Sequence, residues 1–217
     1  MIKRTSDLTL VLTNLKCDGV CVIDDYIKGD ELSRLREEVL RLCETHGEFY
    51  EFGRNYRGGN LLSHKQHAPH VFNAFDKSWM KELNKNYRGQ RFCENIFATY
   101  DYKASTDGSA ANGWLHFDKR RCLKFFIYLT HIDESNGAFY CSPGSHLVTY
   151  QLRKEIKDYK KERRLEINFP KIVEQYPPEP VIGKAGTLIV FDTDVFHFGG
   201  RVEEGEERVV IRGHCTC

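Results

Sequence analysis

The 217-residue chain lacks any run of about 18 or more apolar residues, the length that a membrane-spanning helix requires. Residues 1–7 are followed by a short, broken apolar stretch instead of the continuous apolar core of a secretory signal peptide. The eight cysteines include no Cys-x-x-Cys pair, so the ligand pattern of a zinc ribbon is missing. We therefore expect a cytoplasmic protein with no membrane partner, in which reduced thiols are the default.

The chain also lacks a strong charge of either sign. Its 32 Lys and Arg residues nearly balance 31 Asp and Glu residues, and the formal net charge of +1 provides no overall attraction to nucleic acid. A hydrophobic content of 41% is too high for a disordered chain, and no internal repeat or low-complexity tract divides the sequence. These values predict one globular domain over residues 1–217 that binds a small molecule, and they leave its oligomeric state open.

Hydrophobic periodicity predicts a mainly β protein with flanking helices. A strand is expected over residues 19–26, with amphipathic helices at about 30–45 and 77–87. A helical insertion is expected at about 149–180, and the charged run in its first half is interpreted as a solvated face. From residue 92 onward, short strands alternate with turns in a number typical of a jelly roll, the double-stranded β-helix of cupin-like proteins. The predicted strands cover residues 92–103, 114–118, 123–131, 138–142, 181–183, 187–191, 195–198 and 207–214.

Residues 47–70 show neither the helical nor the strand period and are rich in Gly, Asn, Arg and His. Long segments of this kind in compact domains often cover binding sites, so we interpret this one as a mobile loop that closes over substrate. Arg54 and Arg57 are its candidate substrate contacts. The segment also contains three histidines spaced three residues apart, His64, His67 and His70. They could bind a second metal, but an ordinary polar loop is the simpler interpretation.

A pattern of metal ligands lies at residues 116–118. Side chains alternate between the two faces of a strand, so His116 and Asp118 project to the same side, as two ligands of one metal must. With the distant His197 they would form the facial triad of two histidines and one carboxylate found in non-haem Fe(II) oxygenases. The alternative is a hydrogen-bonded pair at a strand end, because the His-x-Asp spacing alone is common. Arg208 follows His197 by eleven residues in a β-rich run, where its guanidinium could bind a carboxylate.

Several further motifs occur in a fixed order along the chain. They are Asp18-Gly19-Val20-Cys21-Val22-Ile23-Asp24-Asp25, Leu115-His116-Phe117-Asp118, Asn136-Gly137-Ala138-Phe139, Pro143-Gly144-Ser145-His146, Gly183-Lys184-Ala185-Gly186, and His197 with Arg208. In order and spacing, over roughly residues 17 to 214, this set resembles the phytanoyl-CoA dioxygenase family of Fe(II)- and 2-oxoglutarate-dependent oxygenases. The ordered set is much more specific than the His-x-Asp tripeptide alone.

The resemblance implies that His116, Asp118 and His197 bind Fe(II) and that the protein consumes 2-oxoglutarate and O₂. Asp118 also bears on the reaction, because a small residue in its place would leave room for halide, as in a halogenase. The carboxylate favours hydroxylation of a small-molecule substrate, with release of succinate and CO₂. The basic run after Asp118, which includes Arg120, either steers an anionic substrate to the site or forms a solvated turn.

The same resemblance implies that Arg208 holds the distal carboxylate of 2-oxoglutarate. Even-numbered residues of the predicted strand 207–214 share one face, so Arg212 is an alternative clamp, or else the partner of an acidic neighbour. A buried guanidinium without an anionic partner is costly, so an inward Arg208 calls for a carboxylate such as that of the cosubstrate. Phe126 would pack against 2-oxoglutarate or belong to the core.

Two other classes of protein fit the same pattern. A non-catalytic jelly-roll binding protein would keep the fold and could lose a ligand, whereas this sequence has all three ligand types and the arginine. A cupin-type enzyme with another divalent metal, such as zinc or nickel, would generally use more histidines and no dedicated inward arginine. The dioxygenase interpretation accounts for more of the residues than either alternative.

Overall fold

Antiparallel strands form the framework of the protein, and helices cover it. The computed structural model describes residues 1–45, 50–52, 55–89, 94–102, 113–158 and 164–215. The strands are β1 (Val20–Ile23), β2 (Tyr50–Phe52), β3 (Asn55–Asn60), β4 (Glu94–Asp101), β5 (Leu123–Tyr128), β6 (Phe139–Ser142), β7 (Glu179–Val181), β8 (Leu188–Asp192), β9 (Phe196–Gly199) and β10 (Arg208–Cys215). The helices are α1 (Thr9–Asp18), α2 (Gly29–Thr45), α3 (Pro69–Phe75), α4 (Ser78–Arg88), α5 (His146–Glu155), α6 (Leu165–Asn168) and α7 (Pro170–Gln175), with a 3₁₀ helix at Leu61–His67.

The strands form a seven-stranded sheet in the order β1-β8-β5-β10-β4-β3-β2 and a three-stranded sheet in the order β7-β6-β9. Neighbouring strands are antiparallel in both sheets. Phe139 and Val181 of the small sheet share a buried cluster with Phe191 and Val210 of the large one, so the two sheets pack against each other. The predicted mainly β fold with flanking helices, a double-stranded β-helix, is confirmed.

The two faces of the large sheet have different neighbours. Phe125 and Ile127 of β5 point to the helical side and share a core cluster with Leu35 and Val39 of α2. Tyr128, one residue further along, belongs to the cluster between the sheets. Burial of each such side chain contributes roughly 1.5–3 kcal/mol, so the period-2 pattern of β5 fixes which residues face the helices and which face the second sheet.

The strand predicted at residues 114–118 is wrong. Only His116 forms a β-bridge there, and it pairs with His197 of β9. The Asp118 N–H donates to the Thr193 carbonyl at 2.9 Å, so the segment lies along the connection between β8 and β9 without forming a ladder. The side chains of His116 and Asp118 still converge, although the alternation of a regular strand does not place them.

The long loop predicted at residues 47–70 is also wrong. Strands β2 and β3 add to the edge of the large sheet beside β4, and the 3₁₀ helix and the start of α3 follow them. An edge strand is held mainly by backbone hydrogen bonds, which leave no hydrophobic period in the sequence. Arg57 lies in β3 opposite Thr99, whereas Arg54 lies outside the described residues.

The helical insertion begins at His146, before the predicted position 149, and ends ahead of β7 at Glu179. Its helices α5 and α6 bury Leu152 and Leu165 against Phe117 and Phe196 in a separate core cluster. Lys154 and Glu155 of its charged run are exposed, as a solvated face requires, whereas Arg153 is partly buried and pairs with the buried Asp194. None of the described helices combines the length and apolarity that crossing a membrane requires.

Candidate metal and cosubstrate site

His116, Asp118 and His197 come together at one place between the two sheets. Nε2 of His116 lies 3.9 Å from Oδ1 of Asp118, and Nε2 of His197 lies 3.8 Å from the same oxygen. These separations are too long for hydrogen bonds, but ligand atoms that each lie about 2.0–2.2 Å from one ion are at most about 4.4 Å apart. The donor set therefore fits a single first-row divalent metal. The described residues contain no second cluster of this kind, and His64, His67 and His70 do not form one.

Backbone carbonyls fix the orientation of both imidazoles. Nδ1 of His116 lies 2.8 Å from the Trp114 carbonyl, and Nδ1 of His197 lies 2.7 Å from the Val195 carbonyl. A carbonyl only accepts hydrogen bonds, so Nδ1 carries the proton in each neutral ring and the lone pair of Nε2 faces Asp118. The paired backbone hydrogen bonds between His116 and His197, at 3.1 and 2.7 Å, hold the two rings side by side.

The surroundings keep Asp118 and His197 in the protonation states that bind a metal. Burial acts to raise the pKa of the Asp118 carboxyl, but the charge of Lys124, followed by His197, lowers it to about 2. Burial, followed by the proximity of His116, lowers the pKa of His197 to about 3. At neutral pH the carboxylate is ionised and His197 is neutral, as coordination requires.

Lys124 is a site residue that the sequence interpretation did not single out. Its Nζ lies 2.6 Å from Oδ2 of Asp118, the carboxylate oxygen that does not face the histidines. The signal was present in the alternation of β5, which places Lys124, Phe126 and Tyr128 on one face, and all three line the cavity. Alternation gives the face of a residue but not its distance from Asp118, which depends on how the turn at residues 119–122 closes.

Arg208 lies in the wall of the same cavity, which has a volume of about 110 Å³. Nε and Nη2 of Arg208 donate to Oδ2 of Asp101 at 3.0 and 2.7 Å, and Nη1 donates to the Gly137 carbonyl. Asp101 is buried at the end of β4, opposite Arg208 in the β4–β10 register. The protein itself thus supplies an anionic partner for the inward arginine, which the sequence interpretation had sought in the cosubstrate alone.

Arg212 and Phe126 also line the cavity, whereas Arg120 does not. The guanidinium carbon of Arg212 lies 5.7 Å from the ring centre of Phe126 and 5.8 Å from that of Phe97, within the range of a cation–π contact. Phe126 also packs edge-on against Phe191, at 5.0 Å between ring centres, so it is both a core residue and part of the cavity wall. Arg120 is exposed outside the cavity.

His214 on β10 is a histidine beside the cavity whose ring packs 4.6 Å from that of Phe97. Burial, followed by the charges of Lys124 and Arg212, lowers its pKa to about 2, against 6.5 for an unperturbed histidine. The unfolded chain therefore takes up a proton at this residue below pH 6.5, whereas the folded chain does not. Its contribution to stability is present above pH 6.5 and is lost as the pH falls toward 2. Because of this residue, we expect the free energy of unfolding to be about 2 kcal/mol lower at pH 5 than at pH 7.5.

Urea unfolding of the wild type and the His214→Phe variant at both pH values measures this contribution. The variant retains an aromatic ring against Phe97 but has no group to protonate, so its stability should fall by about 2 kcal/mol less than that of the wild type. An equal fall in both proteins would show that His214 titrates alike in the folded and unfolded chains.

Comparisons with known proteins agree with this geometry. The model of the phytanoyl-CoA dioxygenase family (PhyH) matches residues 15–209. Members of this family depend on Fe(II) and 2-oxoglutarate. No curated protein matches the chain in sequence.

Three solved structures illustrate the similarity of the fold. The α-ketoglutarate-dependent epimerase SnoN from nogalamycin biosynthesis has a TM-score of 0.69 at 14% identity, over 95% of this chain and 81% of SnoN. HygX from Streptomyces hygroscopicus, with nickel and 2-oxoglutarate bound, has a TM-score of 0.67 at 16% identity, over 94% of this chain and 85% of HygX. EctD from S. alaskensis, with 2-oxoglutarate and 5-hydroxyectoine, has a TM-score of 0.65 at 16% identity, over 94% of this chain and 73% of EctD.

The family match covers most of the chain and includes both histidines and the aspartate of the cluster. The resemblance noted in the sequence is confirmed, and the chain belongs to the phytanoyl-CoA dioxygenase family.

Proposed function

We propose that this protein is an Fe(II)- and 2-oxoglutarate-dependent dioxygenase that hydroxylates a small-molecule substrate and releases succinate and CO₂. The observation that supports it best is the convergence of two imidazole nitrogens and one carboxylate oxygen in a cavity whose wall also contains Arg208. A binding protein without catalysis has no need for this donor set. A cytoplasmic location and the absence of nucleic-acid and membrane partners stay predictions from composition.

His116, Asp118 and His197 would hold the metal. When bound, Fe(II) together with 2-oxoglutarate supplies the oxidising chemistry, in which O₂ is activated and 2-oxoglutarate is decarboxylated. The protein contributes the arrangement of ligands. The carbonyls behind the two imidazoles keep Nε2 of each ring directed at Asp118, and Lys124 neutralises the outer carboxylate oxygen.

Arg208 would bind the distal carboxylate of 2-oxoglutarate, because it lines the same cavity as the three proposed metal ligands. Asp101 and the Gly137 carbonyl hold the guanidinium in place with three of its five N–H groups, and Nη1 also makes a long contact of 3.5 Å with the Gly200 carbonyl. The cosubstrate carboxylate would bind the remaining N–H of Nη2 and displace the long contact to Gly200. Phe126 and Phe139 form an apolar wall of the same cavity, which would limit the access of water to the site. Arg212 is the alternative clamp.

The substrate is proposed to be a small molecule. The structural relatives include proteins crystallised with nogalamycin RO, hygromycin B and 5-hydroxyectoine, all of them small molecules. The relatives also include an epimerase and a carbocyclase, so the fold alone does not select hydroxylation. Arg120 is not among the residues that line the cavity, and the substrate contacts proposed at Arg54 and Arg57 stay predictions.

The test is succinate release by protein purified without oxygen and supplied with Fe(II), 2-oxoglutarate and a panel of small metabolites. We expect release that depends on Fe(II), that Zn(II) or Ni(II) does not support, and that rises with one substrate class. Incorporation of one ¹⁸O atom from ¹⁸O₂ into the product would establish hydroxylation, whereas a product without added oxygen would indicate epimerisation or ring closure. Turnover with zinc or nickel would favour a cupin-type enzyme, and tight 2-oxoglutarate binding without turnover would favour a binding protein.

A further inference from the structure

We propose that helix α5 is the positioning element of the candidate metal centre and that Arg153 is the residue through which it sets the place of Asp118 relative to His197. The inference rests on the proposed function to the extent that Asp118 is a metal ligand. Arg153 belongs to the charged run of α5, which the sequence alone presents as a solvated surface.

Arg153 forms hydrogen bonds with the backbone carbonyls of Asp118 and of the residue that follows it. Its Nη2 donates to the Asp118 carbonyl at 2.7 Å, and its Nη1 donates to the Lys119 carbonyl at 2.8 Å. The guanidinium carbon also lies 4.8 Å from the ring centre of Phe117. One side chain thus contacts three successive residues, and the planar fork of arginine matches two neighbouring carbonyls in a way that a lysine ammonium does not.

These contacts leave little freedom to the backbone of Asp118. Its N–H donates to the Thr193 carbonyl at 2.9 Å, and its C=O accepts from Arg153. With both backbone groups held, the backbone sets the point from which the side chain extends, and Lys124 then holds one carboxylate oxygen at 2.6 Å. A displacement of the Asp118 carbonyl would move the carboxylate out of the arrangement that one metal ion requires.

The same helix is also bound to the residues that precede His197. Arg153 forms an ion pair with Asp194, and Oγ1 of Thr149 donates to the Asp194 carbonyl at 2.6 Å. Ser145, immediately before α5, accepts a hydrogen bond from the Phe196 N–H at 2.8 Å. Helix α5 therefore contacts the chain on both sides of the metal-ligand cluster, next to Asp118 and next to His197.

Asp194 is the link between these two sets of contacts. Its side chain is 5% exposed, and its carboxylate binds Arg153 on one side and Nε of Arg121, at 3.1 Å, on the other. Arg121 also donates to the buried Asp192 at 2.8 Å. Arg121 thus belongs to the same buried network as Arg153, but its hydrogen bonds run to carboxylates, whereas those of Arg153 run also to the backbone of the ligand segment. This difference makes Arg121 a matched control.

The experiment compares Arg153→Met and Arg121→Met with the wild type in the binding of the metal alone. Calorimetry with Fe(II) under anaerobic conditions gives the affinity, and the visible spectrum of bound Co(II) reports the ligand geometry. We expect Arg153→Met to weaken metal binding about 10- to 100-fold and to alter the Co(II) spectrum, as loss of a group that orients a ligand does. Arg121→Met should lower the melting temperature by a similar amount but leave affinity and spectrum unchanged.

Arg153→Lys is the second variant, in case the methionine variant does not fold. Lysine keeps a cation for Asp194, but its single ammonium cannot bind both carbonyls in the geometry of the fork, so metal binding should still weaken about 10-fold. Wild-type affinity and spectrum in Arg153→Lys, or an equal loss of affinity in Arg121→Met, would overturn the proposal while leaving the dioxygenase function intact. A wild-type protein that binds neither Fe(II) nor Co(II) would overturn both.

Discussion

Replacement of His116, Asp118 or His197 by alanine is expected to reduce Fe(II)-dependent succinate formation to background. Each side chain contributes one of three convergent donor atoms, and loss of a group that merely orients a ligand already costs about 10- to 100-fold. The loss for a ligand itself should therefore exceed about 100-fold. The fold should survive, because the core clusters on the two faces of the large sheet do not depend on these residues.

Succinate release by each variant, with circular dichroism to check the fold, measures this effect. His214→Phe is the matched control, since it removes a histidine from the same region that is not part of the cluster, and it should retain turnover. Undiminished succinate release by any one of the three alanine variants would remove that residue from the ligand set.

Replacement of Arg208 by alanine is expected to weaken 2-oxoglutarate binding more than replacement of Arg212. A charge-assisted pair contributes on the order of 1.5–3 kcal/mol, or about 10- to 150-fold in affinity. The structure adds a second cost, because without Arg208 the buried carboxylate of Asp101 would remain uncompensated close to the proposed position of the cosubstrate carboxylate. Titration by calorimetry, with a redox-inert metal in the site, gives both affinities.

The double variant Arg208→Ala with Asp101→Asn separates the two costs. It lacks the arginine but also the repelling carboxylate, so it should bind 2-oxoglutarate more tightly than Arg208→Ala and less tightly than the wild type. A larger loss of affinity for Arg212→Ala than for Arg208→Ala would reassign the clamp to Arg212, whose guanidinium lies against the aromatic wall of the cavity.

The sequence was informative where a local period reflects burial. Alternation along β10 predicted that Arg208 and Arg212 share a face, and both line the cavity, while Val209 and Ile211 face the helices. The apolar stripe of α2 was likewise evident, because a helix that packs on a sheet repeats its buried residues at a fixed spacing. The hydrophobic period was uninformative over residues 47–70, where β2 and β3 are held by backbone hydrogen bonds to the neighbouring strand.

The sequence by itself determined which chemical groups are present, namely two histidines, one aspartate and an arginine in the order found in the family that the chain matches. The tertiary structure decided which charge neutralises which. Asp101 pairs with Arg208 across strands that are far apart in sequence, and Arg153 reaches the backbone of Asp118 from a helix. Such contacts depend on the register between strands and on how a helix docks, and neither leaves a periodic trace in the residues that take part.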